Sequence, residues 1–341
     1  MIKTVEIVSL SSGLIGEPFA AHEVKIGVSR LEEMGLNVRF SNNALKGIDY
    51  LKEHPEKRAD DLIEAYSDQE VDMILCAIGG DDTYRLLPYL FEEDRLKKAV
   101  NDKPFLGFSD TTMNHLMLHK LGIKTFYGQS FLADLCELEN EMLPYSRKYF
   151  EELIKTGAIK EIRPSDVWYE ERTGFDESQI GVPRIKHPDH GFELLQGKPV
   201  FSGKILGGCI ESIYDIFNND RYSDSVELCG KYGLFPSLEE WKGGILLLES
   251  SEEKPAPDLY EKMLTALKEY GLFDVVSGVL VGKPMDETFY TEYRRLLAEI
   301  IDRPELPVII NLNIGHAVPR CIIPFGEDAI VDAEKQIITF E

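Results

Sequence analysis

Short apolar runs alternate with amphipathic stretches along almost the whole chain. Val5 to Ser11 is strand-like, and after the Ser11-Ser12-Gly13 loop a helical period runs from about Phe19 to Met34, closed by Gly35. Leu36 to Phe40 alternates as a second strand, and a charged helix follows from about Pro55 to Ser67 with Leu62, Ile63 and Tyr66 on its apolar side. Val71 to Ile78 is almost continuously apolar, the pattern of a parallel strand buried on both faces. It stops at Gly79-Gly80-Asp81-Asp82-Thr83, beyond which Tyr84, Leu87 and Leu90 mark a short helix. Phe105 to Phe108 then ends at Ser109, and Met113, Leu116, Met117 and Lys120 recur at helical spacing. Strands that alternate with helices imply parallel pairing and right-handed crossovers. The predicted class is therefore α/β, with residues 1–160 forming a doubly wound, flavodoxin-like parallel-sheet domain. Ligands of such sheets bind beyond the carboxyl ends of the strands, where both Gly79-Gly80 and Ser109 fall.

The rhythm fails between residues 161 and 199. Pro164, Pro183, Pro188, Pro199 and several glycines interrupt every period, so this segment is expected to be an irregular linker or active-site loop. Strand patterns return at Val200–Leu206, Gly244–Leu248, Val275–Val281, Val308–Leu312 and Ala329–Phe340, the last a hairpin around Ala333-Glu334-Lys335. Helical patterns near Ile210–Phe217, Asp258–Tyr270 and Thr288–Ile301 lie between them. Residues 200–341 are expected to form a second, strand-rich α/β domain, with the active site between the two.

Composition narrows the partners. The 341 residues carry 37 Lys+Arg against 60 Asp+Glu, a formal charge of -23 that repels phosphate backbones and anionic membrane surfaces. No nucleic-acid or membrane partner is expected. The N-terminal MIKTVEIVSLSSG lacks a signal-peptide core, and the five scattered cysteines (Cys76, Cys136, Cys209, Cys229, Cys321) contain no C-x-x-C, which fits a cytoplasmic protein with reduced thiols.

Three strand ends carry candidate chemistry. Ser109 stands where a strand hands over to a helix N-terminus, a place that exposes a hydroxyl and stabilises developing negative charge; the competing reading is a helix cap. Gly244-Ile-Leu-Leu-Leu-Glu249 ends a buried strand in a carboxylate, against which stand a solvated strand terminus and the rivals Glu252 and Glu253. Val308 to His316 ends in Gly315-His316, and histidine has the ordinary pKa of a general base, although a turn residue beside a glycine is the plainer reading. His115 and His119 stand at i, i+4, but position 116 is leucine where H-E-x-x-H needs glutamate, so they read as core or surface histidines and no metal site is expected. Asp81-Asp82 is either a magnesium-binding pair or a helix N-cap. Trp168 either stacks on a ligand or folds inward with its own segment.

Six motifs, in order and approximate spacing, carry a resemblance. Ala77-Ile-Gly-Gly80, Leu86-Leu-Pro-Tyr-Leu90, Gly107-Phe-Ser-Asp110, Gly203-Lys-Ile-Leu-Gly-Gly208, Leu247-Leu-Glu249 and Gly315-His316 resemble the LD-carboxypeptidase family of serine peptidases over nearly the whole chain. The resemblance implies a Ser-Glu-His triad: Ser109 as nucleophile, His316 as general base and Glu249 as its orienting carboxylate. It implies an oxyanion hole from the backbone N–H groups of Gly80 and Asp110, no metal or organic cofactor, and a homodimer. Gly79, Asp81 and Trp168 are further candidate substrate contacts. The implied substrates are a muropeptide tetrapeptide or, in the microcin C self-immunity branch that the Leu-Leu-Pro-Tyr-Leu segment and residues 161–199 resemble, an aminoacyl-nucleotide. A non-catalytic small-ligand binding protein and an α/β-hydrolase esterase are the alternatives. Thr111, where the esterase motif has glycine, weighs against the latter.

Overall fold

The computed structural model describes all of residues 1–341. Its chain divides into two compact units, residues 1–159 with 172–184 and residues 160–171 with 185–341.

Five strands build the sheet of the first unit: β1 (Thr4–Val8), β2 (Asn37–Phe40), β3 (Met73–Cys76), β4 (Phe105–Gly107) and β5 (Thr125–Tyr127). They pair in the order β5-β4-β3-β1-β2, all parallel, which is the doubly wound order expected of a flavodoxin-like domain. β3 and β4 are buried along their whole length, as strands covered on both faces by helices must be. The helix Pro55–Ser67 shows how its sequence sets its packing. Proline opens it where its missing N–H costs nothing, and Arg58, Ala59, Asp61, Leu62, Ala65 and Tyr66 form one buried stripe. Two of those six are charged, so the stripe needs partners as well as packing: Asp61 accepts from Ser41 Oγ at 2.8 Å and Asn43 Nδ2 at 2.7 Å.

The second unit is built on an eight-stranded mixed sheet. Its strands are β6 (Glu161–Ile162), β9 (Glu193–Gln196), β10 (Val200–Cys209), β11 (Ile245–Glu249), β12 (Gly278–Gly282), β13 (Val308–Leu312), β15 (Asp328–Asp332) and β16 (Ile337–Phe340). The order is β6-β16-β15-β10-β11-β12-β13-β9, with a parallel core from β10 to β13 and antiparallel strands on both flanks. β7 (Val167–Tyr169) and β8 (Lys186–Pro188) form a separate antiparallel pair, and β14 (Ile323–Phe325) is a further short strand. The β15-β16 hairpin lies where alternation placed it. The helices Pro257–Tyr270 and Tyr290–Ile301 pack together through Tyr260 and Tyr293, whose rings stack at 3.9 Å and 13°.

Two expectations need revision. Residues 161–199 are not one irregular linker: they hold β6, β7, β8 and β9, and Arg172–Arg184 belongs to the first unit while the remainder belongs to the second. These strands are two to four residues long and mostly half-exposed, so their side chains carry no apolar period. The excursion is fastened to the first unit by Glu137, whose buried carboxylate takes Arg172 at 2.9 Å and Arg184 at 2.7 Å. The strand expected from Val275 begins only at Gly278, because Leu272–Val275 closes a short helix.

Candidate active site

The predicted triad residues are divided between the units, Ser109 in the first and Glu249 and His316 in the second. In the first, Ser109 follows β4 with φ +66, a left-handed conformation that a β-carbon disfavours and that surrounding structure must hold in place. Two hydrogen bonds to its backbone hold it. Its N–H donates to the Tyr127 hydroxyl at 3.1 Å, and Thr112 Oγ1 donates to its carbonyl at 2.6 Å. The side chain of Asp110 turns inward, accepting Ser11 Oγ at 2.6 Å, Thr83 N–H at 2.9 Å and Thr83 Oγ1 at 2.6 Å. Burial raises the Asp110 pKa, and these hydrogen bonds counter the rise. Its side chain therefore ties the ends of β1, β3 and β4 together, while its backbone continues the turn.

The double glycine is required by distance. A β-carbon on Gly79 would lie 2.6 Å from Ser109 Cβ and 2.7 Å from its Oγ. Beneath the glycine loop, Asp82 does not cap the helix that follows it; its carboxylate pairs with Arg58 Nη1 at 2.5 Å and Nη2 at 3.2 Å, with Arg58 wholly buried. Arg58 also donates to the Leu10 and Ser11 carbonyls at 3.3 Å, so one guanidinium braces the loops after β1 and β3. Asp81 is exposed beside this brace. His115 is a core histidine. Its ring nitrogens face Thr125 Oγ1 at 2.7 Å and the Gly107 carbonyl at 3.1 Å, and burial lowers its pKa to about 3.

The second unit supplies acid and base. Glu249 ends β11 with its side chain fully buried, and its Oε2 lies 2.7 Å from His316 Nδ1 while also accepting the His316 N–H at 3.2 Å. One carboxylate oxygen thus fixes both the ring and the backbone of the histidine. Gly315, at φ +84, makes this possible, because a β-carbon there would overlap the Glu249 carboxylate. The turn after Glu249 is anchored by Glu211, whose Oε1 accepts Ser251 N–H at 2.8 Å and Ser251 Oγ at 2.7 Å. Glu252, on that turn, places Oε2 3.0 Å from His316 Nε2. Burial alone would push the His316 pKa down; Glu249 and Glu252 reverse this and raise it to about 10.

Trp168 is folded into its own unit. Its ring stacks on His187 at 4.4 Å and 23°, with Lys283 Nζ 5.4 Å from its centroid. Lys283 is itself buried, 2.8 Å from Glu287 and 3.7 Å from Asp189. Arg58, Glu211, Lys283 and Asp189 were all missed in the sequence, where a lone charged residue within a helix or loop carries no sign of burial.

Two family models match, for the LD-carboxypeptidase N-terminal domain over residues 5–128 and the LD-carboxypeptidase C-terminal domain over residues 202–331. The chain belongs to the LD-carboxypeptidase family. Among solved structures it is similar to an MccF-like protein from Streptococcus pneumoniae in complex with AMP, at 64% identity and TM-score 0.99, over 100% of this chain and 99% of that one. Among curated relatives, a putative carboxypeptidase of Treponema pallidum is 28% identical over 92% of this chain and 85% of its own length. The microcin C7 self-immunity protein MccF of Escherichia coli is 24% identical over 92% and 86%. Membership in the LD-carboxypeptidase family makes the chain a hydrolase, and the resemblance to its microcin self-immunity branch holds. No helix is long and apolar enough to cross a membrane.

Proposed function

We propose that the protein is a serine hydrolase that cleaves the amide-type bond joining an amino acid to a nucleotide-like group, with Ser109, His316 and Glu249 as its triad. The observation that carries the chemistry is the Glu249–His316 pair at 2.7 Å, a buried carboxylate on Nδ1 that orients the ring and makes Nε2 the nitrogen for proton transfer. His316 takes the Ser109 hydroxyl proton as Oγ attacks the acyl carbon. The resulting oxyanion is met by the N–H groups of Gly80 and Asp110, which act from fixed positions and need no reorganisation. Collapse expels the amine with the proton held on Nε2, and a water repeats the sequence to free the acid. Glu249 holds the ring and balances the imidazolium.

The nucleotide half of the reading is supported by the bound AMP of the 64%-identical relative. The same reading takes the protein to be a cytoplasmic homodimer. A paired assay tests the substrate class: glutamyl sulfamoyl-adenosine should be hydrolysed faster than a muropeptide tetrapeptide by one preparation. The reverse preference assigns the enzyme to cell-wall peptides and removes the nucleotide reading. Sedimentation at micromolar concentration checks the dimer.

A further inference from the structure

The turn after β11 carries a carboxylate that this mechanism does not use. Glu252 Oε2 stands 3.0 Å from His316 Nε2, on the opposite side of the ring from Glu249 Oε2 at 2.7 Å. The histidine side chain is 7% exposed and that of Glu249 is fully buried, whereas Glu252 is 64% exposed. A carboxylate only accepts, so both ring nitrogens must donate, and the ring between them is held as imidazolium. A neutral ring would turn one lone pair onto a carboxylate. Other charged groups near this ring leave that balance intact. The Arg320 guanidinium donates to the Gly315 and His316 carbonyls, and Glu211 is turned to Ser251. The consequence is a conflict of position: a general base must accept at Nε2, and Glu252 already occupies it.

We propose that Glu252 is a specificity-determining latch on His316, released when the free ammonium group of an aminoacyl substrate takes over its carboxylate. The inference rests on the reading of His316 as the base. Glu252 is suited to such an exchange because its side chain is largely in solvent while the ring it faces is buried. As the ammonium–carboxylate contact forms, the imidazolium–carboxylate contact breaks, and the Nε2 proton passes to water. The neutral ring then accepts the serine proton. An acyl donor whose amine is blocked supplies no replacement cation, so it meets a base that is still protonated. The latch thus selects unblocked aminoacyl groups and keeps the base idle when the site is empty.

Glu252→Gln removes the charge at an exposed position with little change of shape. Two readouts test it in the full-length protein: the titration midpoint of the His316 ring by nitrogen NMR, and kcat/KM for glutamyl sulfamoyl-adenosine against its N-acetyl counterpart. The midpoint should fall by about one pH unit, a tenfold weaker hold on the proton, and the preference for the free amine should shrink by a similar factor. In Ser109→Ala protein the free-amine compound should lower the midpoint and the N-acetyl compound should leave it unmoved. An unmoved midpoint in Glu252→Gln, an unchanged preference, or an equal loss of activity on both substrates overturns the latch. Retained turnover by Ser109→Ala would instead strike the serine-hydrolase reading, while the ring titration of Glu252→Gln still decides whether the latch exists.

Discussion

The region around Ser109 and the region around His316 are built from different materials. Around Ser109 the devices are geometric: a left-handed serine, a glycine that a β-carbon would drive into it, and a buried Arg58–Asp82 pair under the loop. Around His316 they are electrostatic, an imidazole between two carboxylates on a turn anchored by Glu211. The contrast teaches that a nucleophile is placed by backbone shape and a base by charge. Substitutions in the first region should therefore act through position and folding, and those in the second through pH.

The largest expected effect is removal of the nucleophile itself. Ser109→Ala should lower kcat by roughly 10⁴-fold or more with an unchanged melting temperature, since an isolated nucleophile deletion disables the whole relay. Next comes the brace. Arg58→Met leaves the Asp82 carboxylate buried, with only Arg85 at 3.8 Å, and should cost about 3 kcal/mol in a denaturant titration. A loss below 1 kcal/mol, on the order of an exposed pair, would show the brace to be ornamental. Gly79→Ala should fold but displace Ser109, lowering kcat about 100-fold, as small misplacements of reacting groups do. If kcat is unchanged, the serine is not held where the glycine places it.

The smallest effect, measured per pH unit, belongs to the charged region and has a defined sign. His316 binds its proton more tightly folded, to about 10, than unfolded, near the ordinary 6.5. Its contribution to stability is complete below about pH 6.5 and fades as pH rises through 10, with a slope on the order of 1 kcal/mol per pH unit within that window. The melting temperature of His316→Gln should fall less across the same range than that of the parent. Equal slopes would mean that the two carboxylates do not hold the imidazolium.

The same contrast explains what could be read in the chain. Val71–Ile78 and Phe105–Phe108 announced buried parallel strands because both faces are apolar, and the β15-β16 hairpin was visible from its alternation. Ser109, Glu249 and His316 stood out because an ionisable or nucleophilic residue at the exit of an apolar run breaks the pattern. Contacts between elements left no such mark. Arg58 and Asp82 lie 24 residues apart in a charged helix and a loop, where either reads as solvated surface. Glu252 was visible only as a rival to Glu249, yet it takes the other nitrogen of the same ring. The strands within residues 161–199 are too short for periodicity to register, and backbone pairing holds them.

The most direct test of the central claim is labelling by a fluorophosphonate probe, read by mass spectrometry of the intact protein and its peptides. A single adduct is expected on Ser109 in the parent, absent from Ser109→Ala and strongly slowed in His316→Ala. An unlabelled parent, or an adduct that persists in Ser109→Ala, would contradict it.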